Sequence, residues 1–226
     1  MKARILLLCP FAVVLVFVPL FFFAGHGNAQ PMSASAVLAA SPLHQPALQE
    51  AWDWEHRFRV TSTTFENDQT IPAAMVFSGQ LGSFCTGGNA SPELSWTHAG
   101  RDTRSYVVTL FDVTANFAHW GVYNIPPDTT ELAAGAGAPG NTTLLQVYND
   151  AGIQGYSGPC PPPDIVPNGI HRYVFTVYAL DKMLDITPSP DFPPGADALY
   201  RAMIGHVIDK TSITGFFSCT DASSCS

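Results

Sequence analysis

Between Gly155 and Asp181 the chain carries Gly-Tyr-Ser-Gly-Pro-Cys-Pro-Pro-Pro-Asp and then His-Arg-Tyr-Val-Phe-Thr-Val-Tyr-Ala-Leu-Asp. Pro159, Pro161, Pro162 and Pro163 lock their own φ and push the residues before them out of the helical region, so the backbone around Cys160 is stiff enough to wall a pocket. The segment that follows opens on His171, an imidazole able to donate, accept or carry a proton near neutral pH. Three other patterns suggest chemistry and fail on context. Gly155-Tyr156-Ser157-Gly158 approaches a hydrolase nucleophile elbow, but Pro159 stands where the last glycine belongs and no helix can start there. Gly135 to Gly140 matches a dinucleotide-binding glycine pattern by letter, yet Pro139 interrupts it and a strand-like run follows. Asp112, His119 and His171 are metal-ligand types without a short-spaced histidine pair, so neither a metal nor any other cofactor is expected.

Elements that could position these residues follow from periodicity. From His171 the residues alternate, with His171, Tyr173, Phe175, Val177 and Ala179 on one face and Arg172, Val174, Thr176, Tyr178 and Leu180 on the other. Shorter alternating runs at 59–63, 105–112, 119–125 and 143–148 are separated by Pro and Gly turns. The expectation is a mainly β domain, a two-sheet antiparallel sandwich. One helix is expected late, over 196–208, with Leu199, Met203 and Val207 on its apolar face and Asp197 near its start; a closing strand over 213–217 follows.

Composition limits the function classes. Of 226 residues, ten are Lys or Arg against eighteen Asp or Glu, and Lys2 and Arg4 sit in an N-terminal leader, so the remainder is more acidic still. No clustered basic surface exists to track a phosphate backbone, which excludes nucleic acid as a partner. The leader, residues 1–29, reads as an export signal: Lys2 and Arg4, an apolar run from Ile5 to Ala24, then Gly27-Asn28-Ala29. The expected location is extracytoplasmic, secreted or periplasmic. That run is also long enough for an uncleaved anchor, and Cys9 is too early to be a lipid-attachment site. Residues 30–57 read as a flexible spacer, 58–217 as one domain, and 218–226 as a tail.

Four cysteines remain beyond the leader, and exported proteins keep disulfides. Of three possible pairings, Cys85 with Cys160 and Cys219 with Cys225 is preferred, free buried thiols being the alternative. The first bridge would tie the Cys85 loop to the proline-rich loop; the second would close a small terminal ring. Asn89 precedes Ala-Ser-Pro, which disfavours glycosylation, whereas Asn141-Thr142-Thr143 is a usable sequon in a eukaryotic source.

Four blocks resemble the phosphatidylethanolamine-binding protein family, in its bacterial Raf-kinase-inhibitor-like branch. They are Phe58 to Ser62 with Phe65 and Ile71-Pro72; Cys85 to Trp96; Asp112 to Ala115 leading to His119-Trp120 and Asn124-Ile125-Pro126; and Gly158 to Pro162 leading to His171-Arg172-Tyr173. The resemblance implies a β-sandwich with a C-terminal helix beside a small anion pocket. Position by position it implies Asp112, His119, the Gly158-Pro159-Cys160-Pro161 loop, His171 and Tyr173 as ligand-binding residues, with Tyr156 beside that loop. Imidazoles, a phenol and backbone N–H groups would donate to a phosphate or carboxylate while Asp112 orients one imidazole.

The motif departs from the family at Val113, Thr114 and Asn116, which replace a proline, a second aspartate and another proline, and the segment from Ala115 to His119 is short. Thr114 would offer a hydroxyl to the pocket in place of a carboxylate. The family implies an exported, non-enzymatic binding protein for a small anion or phospholipid headgroup, with a kinase or protease as the protein partner and a homodimer as an open assembly. The alternatives are a hydrolase, with His119 or His171 as base, Asp112 as orienter and Ser157 as nucleophile, and a structural envelope protein held by its leader.

Overall fold

Two-faced burial of the long strands builds the architecture. In a computed structural model, residues 57–78, 85–97, 99–162, 169–187, 194–219 and 225 are described, all within a unit spanning Gln49 to Ser226. The leader, the spacer up to residue 56, His98 and Pro163 lie outside the described residues.

The large sheet has six strands in the order β2 (Gln69–Thr70), β9 (Val207–Ser218), β8 (Ile170–Leu180), β4 (Ser105–Asp112), β5 (Phe117–Ile125) and β7 (Leu145–Gln146). A small sheet of β1 (Val60–Thr61), β3 (Leu94–Trp96) and β6 (Glu131–Leu132) covers one face. Every pairing between these strands is antiparallel except that of β2 with β9, which is parallel. Its cause is local: Asp68 N–H and Ile71 N–H donate to the Thr214 and Phe216 carbonyls, docking a two-residue strand on the outer edge of β9.

Between the sheets lies a core in which Leu94, Trp96 and Leu132 meet Tyr106, Val108, Leu110, Trp120, Phe175 and Val177. Fully burying each such side chain contributes about 1.5–3 kcal/mol. On the opposite face of the large sheet a second cluster gathers Val107, Tyr123, Val147 and Leu180 around Leu199 and Met203 of α1 (Ala196–Met203). Strand β4 is therefore buried on both faces and reads as a nearly continuous apolar run. Helix α1 sits close enough that a Cβ on Gly121 would lie 2.9 Å from Leu199 Cδ2.

The helix ends five residues earlier than its periodicity predicts. Gly205 adopts φ +79°, a left-handed terminator, and the chain reverses so that Val207 opens β9 instead of continuing the apolar face. Strand β7 is likewise shorter than 143–148, because the Asn141 carboxamide oxygen accepts the Thr143 amide at 2.9 Å and holds that segment in a turn.

Candidate functional site

Asp112 ends β4 opposite Tyr173 of β8, and His171 lies two residues from Tyr173 on the same face. That register puts the carboxylate beside the imidazole: His171 Nδ1 donates to Asp112 Oδ2 at 2.6 Å. Both residues are buried, at 1% and 2% exposure. The other carboxylate oxygen accepts the amides of Thr114 at 2.8 Å and Ala115 at 3.1 Å. Three donors thus converge on one carboxylate. Burial and the Asp112 charge push the Tyr173 phenol far above its ordinary range, so it stays protonated. With Nδ1 committed, His171 directs its Nε2 inward, and this atom is buried without a hydrogen-bond partner.

His119 reaches the same place by a β-bulge. Leu110 pairs with Trp120 and Phe111 with Ala118, so His119 is an extra residue on β5 with no partner on β4. Adjacent residues of a regular strand face opposite ways; here His119 packs on Tyr173, with ring centroids 5.3 Å apart, while Trp120 packs on Tyr156 on the same side of the sheet. His119 Nδ1 donates to the Ser157 carbonyl at 2.8 Å, which fixes the tautomer and leaves Nε2 as the other ring nitrogen for an occupant. Desolvation holds the His119 pKa below the usual histidine value despite the Ser157 bond and the nearby Asp112 and Asp150 charges. Phe117, half-buried, lies beside His119 with ring centroids 4.8 Å apart and the planes tilted by 56°.

The proline-rich loop supports this cluster in a different way from the one expected. Ser157 N–H donates to the His119 carbonyl and Gly158 N–H to Asn89 Oδ1, so neither amide is open to an anion. Pro159 and Pro161 have no N–H; the Pro159 carbonyl accepts from Phe77. Tyr156 is fully buried and its hydroxyl donates to the Met75 carbonyl at 3.0 Å, which makes it a clamp in the core instead of a ligand donor. Gly158 is required by contact, since a Cβ there would stand 2.0 Å from the Met75 carbonyl oxygen. Cys85 and Cys160 have their sulfurs 2.11 Å apart, and Cys219 and Cys225 theirs 2.12 Å apart. Thr114 is exposed and its Oγ1 accepts the Arg172 amide at 3.0 Å, so it caps the edge of β8 and does not take the pocket position of a second carboxylate.

Asn89, Asn149 and Asp150 hold the site and escaped the sequence reading. Asn149 Nδ2 donates to the carbonyls of His119 and Gly155, and Asp150 Oδ2 accepts the Ala118 amide at 2.7 Å beside the bulge. Their only sequence signal is the usual turn preference of Asn and Asp, which does not announce a contact 30 or more residues away. Two surface clefts of about 540 and 450 Å³ lie elsewhere, one along α1 near Asp197 and Arg201 and one along β7 near Leu145.

A family model described as phosphatidylethanolamine-binding protein matches residues 61–218. The UPF0098 protein YbhB of Escherichia coli K12 is 35% identical over 174 residues, 71% of this chain and 99% of that protein. A UPF0098 protein of Methanothermobacter thermautotrophicus is 37% identical over 138 residues, 59% of this chain and 85% of the relative. The crystal structure of Escherichia coli YbcL, titled a new member of the mammalian PEBP family, superposes with a TM-score of 0.62 at 31% identity, covering 71% of this chain and 98% of that one.

Proposed function

This chain belongs to the phosphatidylethanolamine-binding protein family, and on that premise we propose that it is an exported, non-enzymatic binding protein for one small oxyanion at Asp112, His119, His171 and Tyr173. The observation that carries the reading is His171 Nε2: a polar atom buried without a partner, while Nδ1 of the same ring is held by Asp112. A protonated imidazole there donates to a phosphate monoester or carboxylate, and Asp112 supplies the compensating charge. The anion is carried by a lipid headgroup or by an acidic group on a protein partner, a kinase or protease among them.

Catalysis draws no support from the same geometry. The contact between His119 and Ser157 runs through the serine carbonyl, so Nδ1 acts as a donor there and does not serve as base to the hydroxyl.

Titration with inorganic phosphate and with phosphoethanolamine, followed by histidine NMR, tests the placement. His119 and His171 resonances should move, while exposed His206, paired with Asp181 at 2.9 Å, stays as an internal reference. Binding should weaken as pH rises through the imidazole range, because only the charged ring adds attraction. Equal responses from His206, or binding indifferent to pH, would remove the assignment.

A further inference from the structure

The two sulfur pairs touch each other. Cys85 Sγ lies 3.5 Å from Cys219 Sγ and 3.7 Å from Cys225 Sγ, and Cys85 pairs with Cys225 in an isolated antiparallel bridge. Cys85 is 2% exposed, whereas Cys160, Cys219 and Cys225 are half-buried. A reductant in solution therefore reaches Cys85 less readily than any of the other three sulfurs. Both tail sulfurs lie against that one buried sulfur.

We propose that Cys85, Cys160, Cys219 and Cys225 form a thiol–disulfide exchange site that takes a dithiol reductant at its C-terminal pair and passes the opening through buried Cys85 to Cys160. The dithiol reduces Cys219–Cys225 with two electrons and two protons and becomes a disulfide itself. One of the two new thiols loses its proton and attacks Cys85 Sγ; a bond forms between Cys85 and Cys219 or Cys225. The Cys85–Cys160 bond breaks, its electron pair leaves on Cys160, and the thiolate takes up the released proton. The inner step is redox-neutral and needs no further reagent.

Attack at Cys85 makes Cys160 the leaving group, and that direction has a structural consequence. Cys160 lies three residues from Ser157, whose carbonyl holds His119, in the loop that the long bridge ties to the Cys85 segment. After exchange, the loop keeps the Asn89 to Gly158 and Phe77 to Pro159 hydrogen bonds and loses its covalent tie. A signal at the C-terminal end is converted into freedom of the pocket wall. The exchange does not rest on the proposed ligand, so it is tested without one.

The full chain is exposed to limiting dithiothreitol, quenched in acid, labelled with a thiol reagent and mapped by peptide mass spectrometry. Wild type should yield peptides joining Cys85 to Cys219 or Cys225, with the label on Cys160 and on the tail cysteine left unjoined. A variant with Cys219→Ser and Cys225→Ser should lose the Cys85–Cys160 bond at least about tenfold more slowly, because the positioned attacking thiol is gone. Label appearing together on Cys85 and Cys160 in wild type, with no joined tail peptide, would overturn the proposal. So would equal rates in the variant. The wild-type map decides the question even where the variant folds poorly.

Discussion

Asp112→Asn is the most discriminating single change in the site. The new side chain is isosteric, and its orientation is imposed, since the amides of Thr114 and Ala115 both point at the position of Oδ1 and require the carboxamide oxygen there. The NH2 group then replaces Oδ2 and faces His171 Nδ1–H. Donor meets donor. His171 escapes by moving its proton to Nε2, so that Nδ1 accepts from the carboxamide, and the inward nitrogen changes from an acceptor to a donor.

Hydrogen bonds to a charged group are worth about 1.5–3 kcal/mol each and neutral ones about 0.5–1.5 kcal/mol, and all three bonds to residue 112 become neutral, so a net destabilisation of about 3 kcal/mol is expected. For a domain of this size that is a fall of roughly 6–12 °C in melting temperature. Long-range 15N–1H spectra should show the tautomer switch directly. Phosphate should bind the variant at higher pH than it binds wild type, because an Nε2–H donor and a missing negative charge both favour the anion. An unchanged His171 tautomer with a melting temperature within about 2 °C of wild type would refute the proposed network, because it leaves no room for charge-assisted bonds to Asp112.

Other outcomes follow from the same contacts. Burial lowers the His119 pKa, so the folded state binds fewer protons than the unfolded one between that lowered value and about 6.5. Stability should therefore fall as pH drops through this window, and His119→Gln should flatten the pH profile of the melting temperature. Gly158→Ala places a Cβ within 2.0 Å of the Met75 carbonyl oxygen and should cost about 1–3 kcal/mol, read by denaturant unfolding. Replacing Cys85 and Cys160 by Ser opens a closed segment with a sequence separation of 75 and should cost roughly 4 kcal/mol by the chain-entropy relation, with a matching drop in the urea midpoint. Thr114→Asp should leave phosphate and phosphoethanolamine affinities equal to wild type by calorimetry, because residue 114 caps Arg172 outside the pocket. A selective gain for phosphoethanolamine would return it to the pocket.

Sequence periodicity located β4 to the residue and the buried face of β8 with His171 leading it, because a two-residue alternation is a local property of the chain. Family motifs named Asp112, His119 and Tyr173 for the site, and the structure brings these three together with His171. What remained hidden depends on partners far along the chain. Tyr156 looks like a pocket phenol until Met75, 81 residues away, takes its hydroxyl. The Gly158 amide looks like an anion donor until Asn89, 69 residues away, takes it. The end of α1 was hidden for another reason: Leu199, Met203 and Val207 keep a helical spacing across Gly205, and periodicity alone does not sense the reversal.

The short β4–β5 hairpin and the bulge at His119 are two halves of one device. If the register of Leu110 with Trp120 ran on unbroken, Phe111 would pair with His119, and the imidazole would face α1, where Phe111 meets Tyr200. Asp112 would then pair with Ala118, across a loop one residue longer. In the structure Asp112 pairs with Phe117, the loop is Val113 to Asn116, and the residue taken from the loop appears as the bulge that turns His119 towards Tyr173. Asn116 makes the tight loop feasible: its φ of +55° is a left-handed conformation that asparagine tolerates and a proline ring, fixed near −65°, forbids. A proline ring at 116 is thus incompatible with the position of the histidine three residues later. Asn116→Pro should accordingly displace His119 from the Ser157 carbonyl and abolish the His119 response to phosphate, whereas Asn116→Gly should preserve it.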